Sequence, residues 1–208
     1  MEIKKVSDLR PVLFDQNIAD NFVVYEVCRG EEKKGDLRRD LTLIHPRLLG
    51  WELAKTFGHY HRNNEAEMYE VVSGQALFLI QRYEGNPLII KEIYLVEAGR
   101  GEKAVILPGF GMTTINAGDE DLLVGNWIKN DVQNDYELFQ KAGGAAYYCL
   151  RGKDNQLTPV KNGHYQQIPE LVRLKPKNLP RELENLEFLI NPTNYQKFLT
   201  SENLYNKI

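Results

Sequence analysis

From residue 22 to residue 150 the chain repeats one figure: a short run of β-branched, aromatic and aliphatic residues alternating with polar ones, closed by a joint rich in Gly, Pro or Asn. Alternation with a period of two is the signature of a strand with one buried face. It predicts strands over residues 22–28, 37–44, 51–61, 67–72, 76–83, 88–96, 104–107, 112–116, 122–128 and 145–150. In the second, Thr42 and Ile44 share one face while Leu41, Leu43 and His45 share the other. Residues 29–36 hold six charged residues and two glycines between apolar runs and read as a solvated loop. Many short strands at regular spacing, with little helical periodicity between them, predict an antiparallel sandwich or barrel.

The ends are patterned differently. Residues 1–20 are weakly periodic and read as an arm, with a helical turn near residues 7–13 interrupted by Pro11. One or two helical turns follow Asp135 before Gly143 and Gly144. From Arg151 the chain is polar and carries prolines at 159, 169, 176, 180 and 192. Such an extension is expected to wrap the surface, with short helices over 183–190 and 195–199 docking on the body or on a second subunit. The organisation expected is therefore an arm (1–20), a barrel (21–150) and a C-terminal extension (151–208).

With 208 residues the chain can bury one substantial core, and its net charge of −3 offers no general attraction to nucleic acid or anionic lipid. The N-terminus lacks an apolar signal core and no run is long enough to span a bilayer, so a cytoplasmic protein is expected. Cys28 and Cys149 sit in apolar runs without CxxC spacing, as reduced thiols do.

The densest chemistry lies in residues 58–69, Gly-His-Tyr-His-Arg-Asn-Asn-Glu-Ala-Glu-Met-Tyr. In an extended strand His59 and His61 point to one face, and a polar turn at 62–64 leads to a second strand in which Glu67, Tyr69 and Val71 share a face. Paired across that turn, Glu67 would meet both imidazoles. Two neutral imidazoles and a carboxylate suit a divalent first-row metal with open positions for water or substrate, and leave zinc, iron, manganese and nickel all open. The alternative is that the histidines only finish a polar strand end and the glutamates face water.

An H-x-H strand, a turn, a carboxylate, a Gly-closed hairpin and a second block introduced by Leu107-Pro108-Gly109 resemble the layout of the cupin barrel, a double-stranded β-helix or jelly roll. Within that superfamily the chain resembles the cupin-type glucose-6-phosphate isomerases of archaea and some bacteria. The matching pieces run from about residue 23 to 144. They are Val24-Tyr25-Glu26-Val27, Gly35-Asp36-Leu37 with Thr42, and Thr56 with Gly58-His59-Tyr60-His61. Beyond these come Ala66-Glu67-Met68-Tyr69, Gly74, Ile115-Asn116-Ala117-Gly118-Asp119-Glu120 and Asp135-Tyr136.

The resemblance implies an all-β cupin fold, one divalent metal ion (iron, manganese, nickel or zinc) on His59, His61 and Glu67, and Glu67 as catalytic base. It also implies a sugar phosphate held by Tyr25, Thr42, Thr56 and Gly58, Tyr69 and Tyr136 lining the pocket, and a homodimer, with the 22–28 strand as candidate contact. Two positions depart from the family pattern. Met112 stands where a fourth metal ligand, a histidine, is expected, and Asn134 replaces a pocket histidine. The reading is a metal-dependent isomerase of glucose 6-phosphate and fructose 6-phosphate. The alternative is a cupin that binds a sugar phosphate without isomerising it.

Overall fold

The computed structural model describes residues 1–208. The first strand, β1 (Glu2–Lys5), leads into α1 (Val6–Leu9) and a 3-10 turn through Val12. The barrel strands follow: β2 (Val23–Lys34), β3 (Leu37–Ile44), β4 (Tyr60–His61), β5 (Glu67–Ser73), β6 (Gln75–Tyr83), β7 (Ile90–Gly99), β8 (Lys103–Ile106), β9 (Gly111–Asn116) and β10 (Leu122–Lys129). After β11 (Asn134–Asp135) and α2 (Glu137–Lys141) come β12 (Tyr147–Arg151), β13 (Leu157–Lys161), β14 (Val172–Pro176), α3 (Ser201–Leu204) and β15 (Tyr205–Lys207).

Two sheets carry the fold. One runs β1-β2-β3-β10-β5-β8 and the other β15-β14-β7-β6-β9, with small pairs β11-β4 and β12-β13 beside them. Every pairing is antiparallel except that of β14 with β7. Consecutive strands β5 and β6 lie in different sheets, and the chain crosses between them at Gly74 (φ +88°), where a Cβ would come within 2.9 Å of the Asp121 carbonyl oxygen. This is the cupin double-stranded β-helix, with one face of each strand turned inward.

Cross-strand register sorts the interior into layers. Asp40 lies opposite Asn126, which lies opposite Tyr69; one step along, Thr42, Val124 and Val71 align, and then Ile44 and Leu122. Ile44, Val71, Leu122 and Val124 are fully buried. The barrel is therefore apolar at one end and polar at the other, and the polar end holds the site.

The structure departs from the sequence reading in four places. The expected loop at 29–36 is mostly strand: β2 runs on to Lys34, bulged between Cys28 and Glu32 and turning at Gly30 (φ +67°), whose N–H donates to the Asp40 carboxylate at 2.7 Å. Charge there reflects a strand projecting beyond the body, not irregular backbone. The expected strand over 51–61 is largely irregular, held by single bridges such as Lys55 to Ile115 and His59 to Met112. The edge of β2 is taken by β1, so β2 is an internal strand.

The fourth departure is at the ends, which are packed tightly. Leu174, Leu183, Phe188, Leu189, Leu204 and Tyr205 of the extension, and Val6, Leu9, Val12 and Leu13 of the arm, belong to the same buried core as the barrel. A buried ion pair fixes the arm: Lys55 Nζ lies 2.5 Å from Glu52 Oε1 and donates to the Val12 carbonyl at 2.7 Å, while Glu52 Oε2 accepts from the Phe14 N–H. Removing one partner would strand the other charge, at a cost of about 3–5 kcal/mol.

Candidate metal centre

Segment 54–59 lies along the free edge of β9. Thr56 donates to the Thr114 carbonyl, and His59 and Met112 exchange both backbone hydrogen bonds at 3.0 and 2.9 Å. Directly opposed residues of antiparallel strands project to the same side. Met112 thus stands beside His59 on the inward face, as the resemblance placed it. The chain reaches this line through Gly58 (φ +85°), where a Cβ would sit 2.8 Å from the Phe139 ring. His61 is placed by β4, whose partner is Asn134–Asp135 of β11. Glu67 arrives on β5, which pairs with β10 and β8 and not with the histidine segment. The three side chains meet as expected, though across the barrel and not across a hairpin.

Their geometry is that of a ligand set. His59 Nε2 lies 3.2 Å from His61 Nε2, and Glu67 Oε2 lies 3.8 and 3.6 Å from the two. For bonds of about 2.1 Å, neighbouring ligand atoms are spaced by roughly 3.0 Å in an octahedron and 3.4 Å in a tetrahedron, so one small cation can touch all three. His61 Nδ1 donates to the Glu65 carbonyl at 3.0 Å, which leaves Nε2 as a lone pair aimed at the centre. Glu67 Oε2 is buried with no hydrogen-bond partner. A His59–His61 hydrogen bond would leave that oxygen orphaned, whereas a shared cation satisfies all three atoms.

The surroundings favour the ligating forms in part. Burial, then His61 and Arg29, holds His59 well below the usual histidine range, so it is neutral. Burial pushes the Glu67 carboxyl up, partly offset by His61; a divalent cation beside it would act in the opposite direction. Asn126 Nδ2 donates to Glu67 Oε1 at 2.6 Å and fixes the carboxylate plane. Tyr69 OH donates to Met112 Sδ at 3.7 Å, and burial followed by Glu67 keeps this phenol far above its normal value.

The centre opens into a cavity of about 60 Å³ at the polar end of the barrel. Tyr25, Thr42, Thr56, Gly58, Tyr69 and Tyr136 all line it, as does Asn134. The Thr42 hydroxyl and the Gly58 N–H have no partner within the chain. Thr56 Oγ1 is engaged already, accepting from the Thr114 N–H at 3.0 Å and meeting Thr113 Oγ1 at 3.3 Å. Asn134 Oδ1 is buried and unpartnered.

The remaining histidines stand elsewhere, His45 against Asp121 at 2.9 Å and His164 against the Ala142 carbonyl at 3.1 Å. A larger groove of about 1170 Å³ touches His61 but neither His59 nor Glu67.

Arg29, Arg38, Asp40 and Asn126 also line the cavity, and sequence reasoning missed them. The signal was present for the three charged ones: Arg38 and Asp40 are four and two residues before Thr42, and Arg29 is four beyond Tyr25, so all three lie on faces already assigned inward. Asp40 is 2% exposed and accepts from the Gly30 N–H and from Arg38 Nε at 3.1 Å.

Among known proteins, the family described as Glucose-6-phosphate isomerase (GPI) matches residues 3–167. The glucose-6-phosphate isomerase of Thermococcus onnurineus is 30% identical over 149 residues, covering 68% of this chain and 76% of that protein. That of Thermococcus kodakarensis is 29% identical over 173 residues, covering 79% and 87%, and that of Sinorhizobium medicae is 32% identical over 148 residues, covering 70% and 66%. Among solved structures, an oxalate oxidase with glycolate bound superposes with a TM-score of 0.43 at 16% identity, covering 55% of each chain. A match over this span, containing every residue of the centre, establishes that the chain belongs to the glucose-6-phosphate isomerase family.

Proposed function

We propose that this chain interconverts glucose 6-phosphate and fructose 6-phosphate with a divalent ion held by His59 Nε2, His61 Nε2 and Glu67 Oε2. The observation that carries the reading is the convergence of these three atoms, one of them an orphaned buried oxygen, inside the polar end of the barrel of a chain of this family. The ion, when bound, supplies Lewis-acid polarisation of the two adjacent substrate oxygens. Two imidazoles and a carboxylate suit iron, manganese, nickel and zinc alike.

Aldose becomes ketose when the hydrogen on C2 moves to C1 and the hydroxyl proton moves from O2 to O1. Glu67 is the proposed base that takes up the first and returns it, with Asn126 holding its other oxygen in place. The free Thr42 hydroxyl and Gly58 N–H, with Tyr25 OH and Thr56, are the proposed donors to the phosphate. Tyr69 and Tyr136 flank the sugar, and the open Asn134 Oδ1 accepts from a sugar hydroxyl. A homodimer, and a place among the cytoplasmic enzymes of glycolysis and gluconeogenesis, go with this reading; β1, not β2, presents the free edge of its sheet.

The test is turnover of fructose 6-phosphate with each metal in turn, beside elemental analysis. We expect turnover with at least one metal. Glu67→Gln should lower kcat by about 100-fold or more while sugar-phosphate binding changes far less. Sugar-phosphate binding without turnover under any metal would establish the non-isomerising cupin instead.

A further inference from the structure

The inward faces of β2 and β3 carry two arginines and one buried aspartate, and the two arginines are held in opposite ways. Arg38 is held at close range: Nε donates to Asp40 at 3.1 Å, and Nη1 donates to the carbonyls of Lys129 and Asn130 at 3.2 and 2.5 Å. It serves as the counterion that lets Asp40 be buried. Arg29 has five N–H donors and two carboxylate contacts, 3.5 Å to Asp40 Oδ2 and 3.4 Å to Glu2 Oε2, both at the long limit of hydrogen bonding, with the Tyr136 hydroxyl beside it. Its side chain is 44% exposed. Arg29 is a cation with donors to spare.

Its position gives those donors a use. A second pocket of about 260 Å³ adjoins the inner cavity and shares Tyr25, Val27, Arg29, Phe57 and Tyr136 with it, while His59 and Glu67 line the inner cavity alone. Arg29 therefore stands at the neck between the two spaces. The inner cavity has room for a few water molecules, and pockets that take small metabolites run to about 300 Å³ and more. A phosphorylated hexose whose reacting carbons lie at the metal centre must extend through the neck, past the guanidinium.

Charge points the same way. The charged residues lining the inner cavity are Arg29, Arg38, Asp40 and Glu67, which sum to zero. A phosphate monoester brings about −1.5 to −2 at neutral pH. Threonine hydroxyls and a backbone N–H donate to it without charge; the planar fork of an arginine does both.

We propose that Arg29 is a substrate-binding residue, absent from the positions carried by the family resemblance, which leaves its loose contacts with Glu2 and Asp40 to take the phosphate of the sugar phosphate. The proposal rests on the isomerase reading for its substrate, but phosphate binding can be measured whether or not turnover occurs.

The experiment compares wild type with Arg29→Gln, Arg29→Lys and Glu2→Gln. It measures kcat and KM for fructose 6-phosphate, the inhibition constant or calorimetric Kd of inorganic phosphate, bound metal, and the unfolding midpoint. Arg29→Gln should raise KM and weaken phosphate binding together by about 10-fold or more, with kcat within about 3-fold and metal content unchanged. Arg29→Lys should recover part of the loss. Glu2→Gln removes a competitor for the guanidinium on an exposed edge strand, and should tighten phosphate binding about 2-fold. Phosphate binding unaltered in Arg29→Gln and Glu2→Gln would overturn the proposal, as would a fall in kcat and metal content with KM unchanged, which would mark Arg29 as support for Asp40. If Arg29→Gln does not fold, Arg29→Lys and Glu2→Gln decide on the same readouts. An absence of turnover with phosphate binding still dependent on Arg29 would sink the isomerase reading and leave this one standing.

Discussion

Replacing Asn126 by Ala removes the one donor to Glu67 Oε1, a contact of 2.6 Å to a residue that is itself 2% exposed. A hydrogen bond to a charged, buried group contributes about 1.5–3 kcal/mol, so the carboxylate is destabilised relative to its protonated form by roughly that much. Metal binding requires the deprotonated ligand. The affinity should accordingly fall by about 10- to 100-fold, the range found when a group that orients a metal ligand is lost.

The sign of the pH effect follows. Burial already raises the Glu67 carboxyl; losing a donor to its charged form raises it further, so the onset of metal binding moves to higher pH in the variant. The deficit should be largest at about pH 6 and smaller at pH 8. Competition against a chelator of known affinity, with zinc or manganese at pH 6, 7 and 8, reads this directly. An affinity within 2-fold of wild type at all three values would refute the reasoning, because the hydrogen bond would then neither orient nor stabilise the ligand.

Met112→His should raise metal affinity by about 10-fold or more, since an imidazole replaces a weak thioether on the inward face beside His59; calorimetry giving an unchanged Kd would show that position 112 does not reach the ion. In metal-free protein, His59 is held well below its ordinary pKa, so the unfolded chain binds the extra proton as pH falls below about 6.5 and the folded state loses stability. Between pH 6.5 and 5.5 this amounts to about 1 kcal/mol. It should appear in denaturant unfolding as a steeper acid loss in wild type than in His59→Gln, and equal slopes would remove His59 as the source.

How much of this was legible in the sequence divides along one physical line. A period of two states which side chains share a face, and nothing about which strand lies alongside. The faces of His59, His61, Glu67, Tyr69 and Thr42 therefore read correctly, while the partner of the histidine segment did not: its hydrogen bonds go to Met112 and Thr114, more than fifty residues on, and to β11. The cupin fold became readable only through the ordered series of matching motifs, since alternation alone is common to sandwiches and barrels. The extension was misjudged for a related reason. Its buried Leu183, Phe188 and Leu189 sit in single 3-10 turns, too short to imprint a period on a polar, proline-rich stretch.

Arg29, Arg38, Asp40 and Asn126 were hidden differently, because a charged or polar side chain within a strand is ordinarily the mark of a solvent face. Parity contradicted that inference at the three charged ones, and parity was right: a polar residue in register with assigned inward positions belongs to the interior, and must then be paired or aimed at a ligand. Asp40 pairs with Arg38, and Asn126 answers one oxygen of Glu67 while the other is aimed at the metal centre. Arg29 is held only by two long contacts, to Asp40 and Glu2. A charge that the fold holds only loosely stands at the neck through which an anionic substrate has to pass, which is where a charge withheld from stability can act on binding.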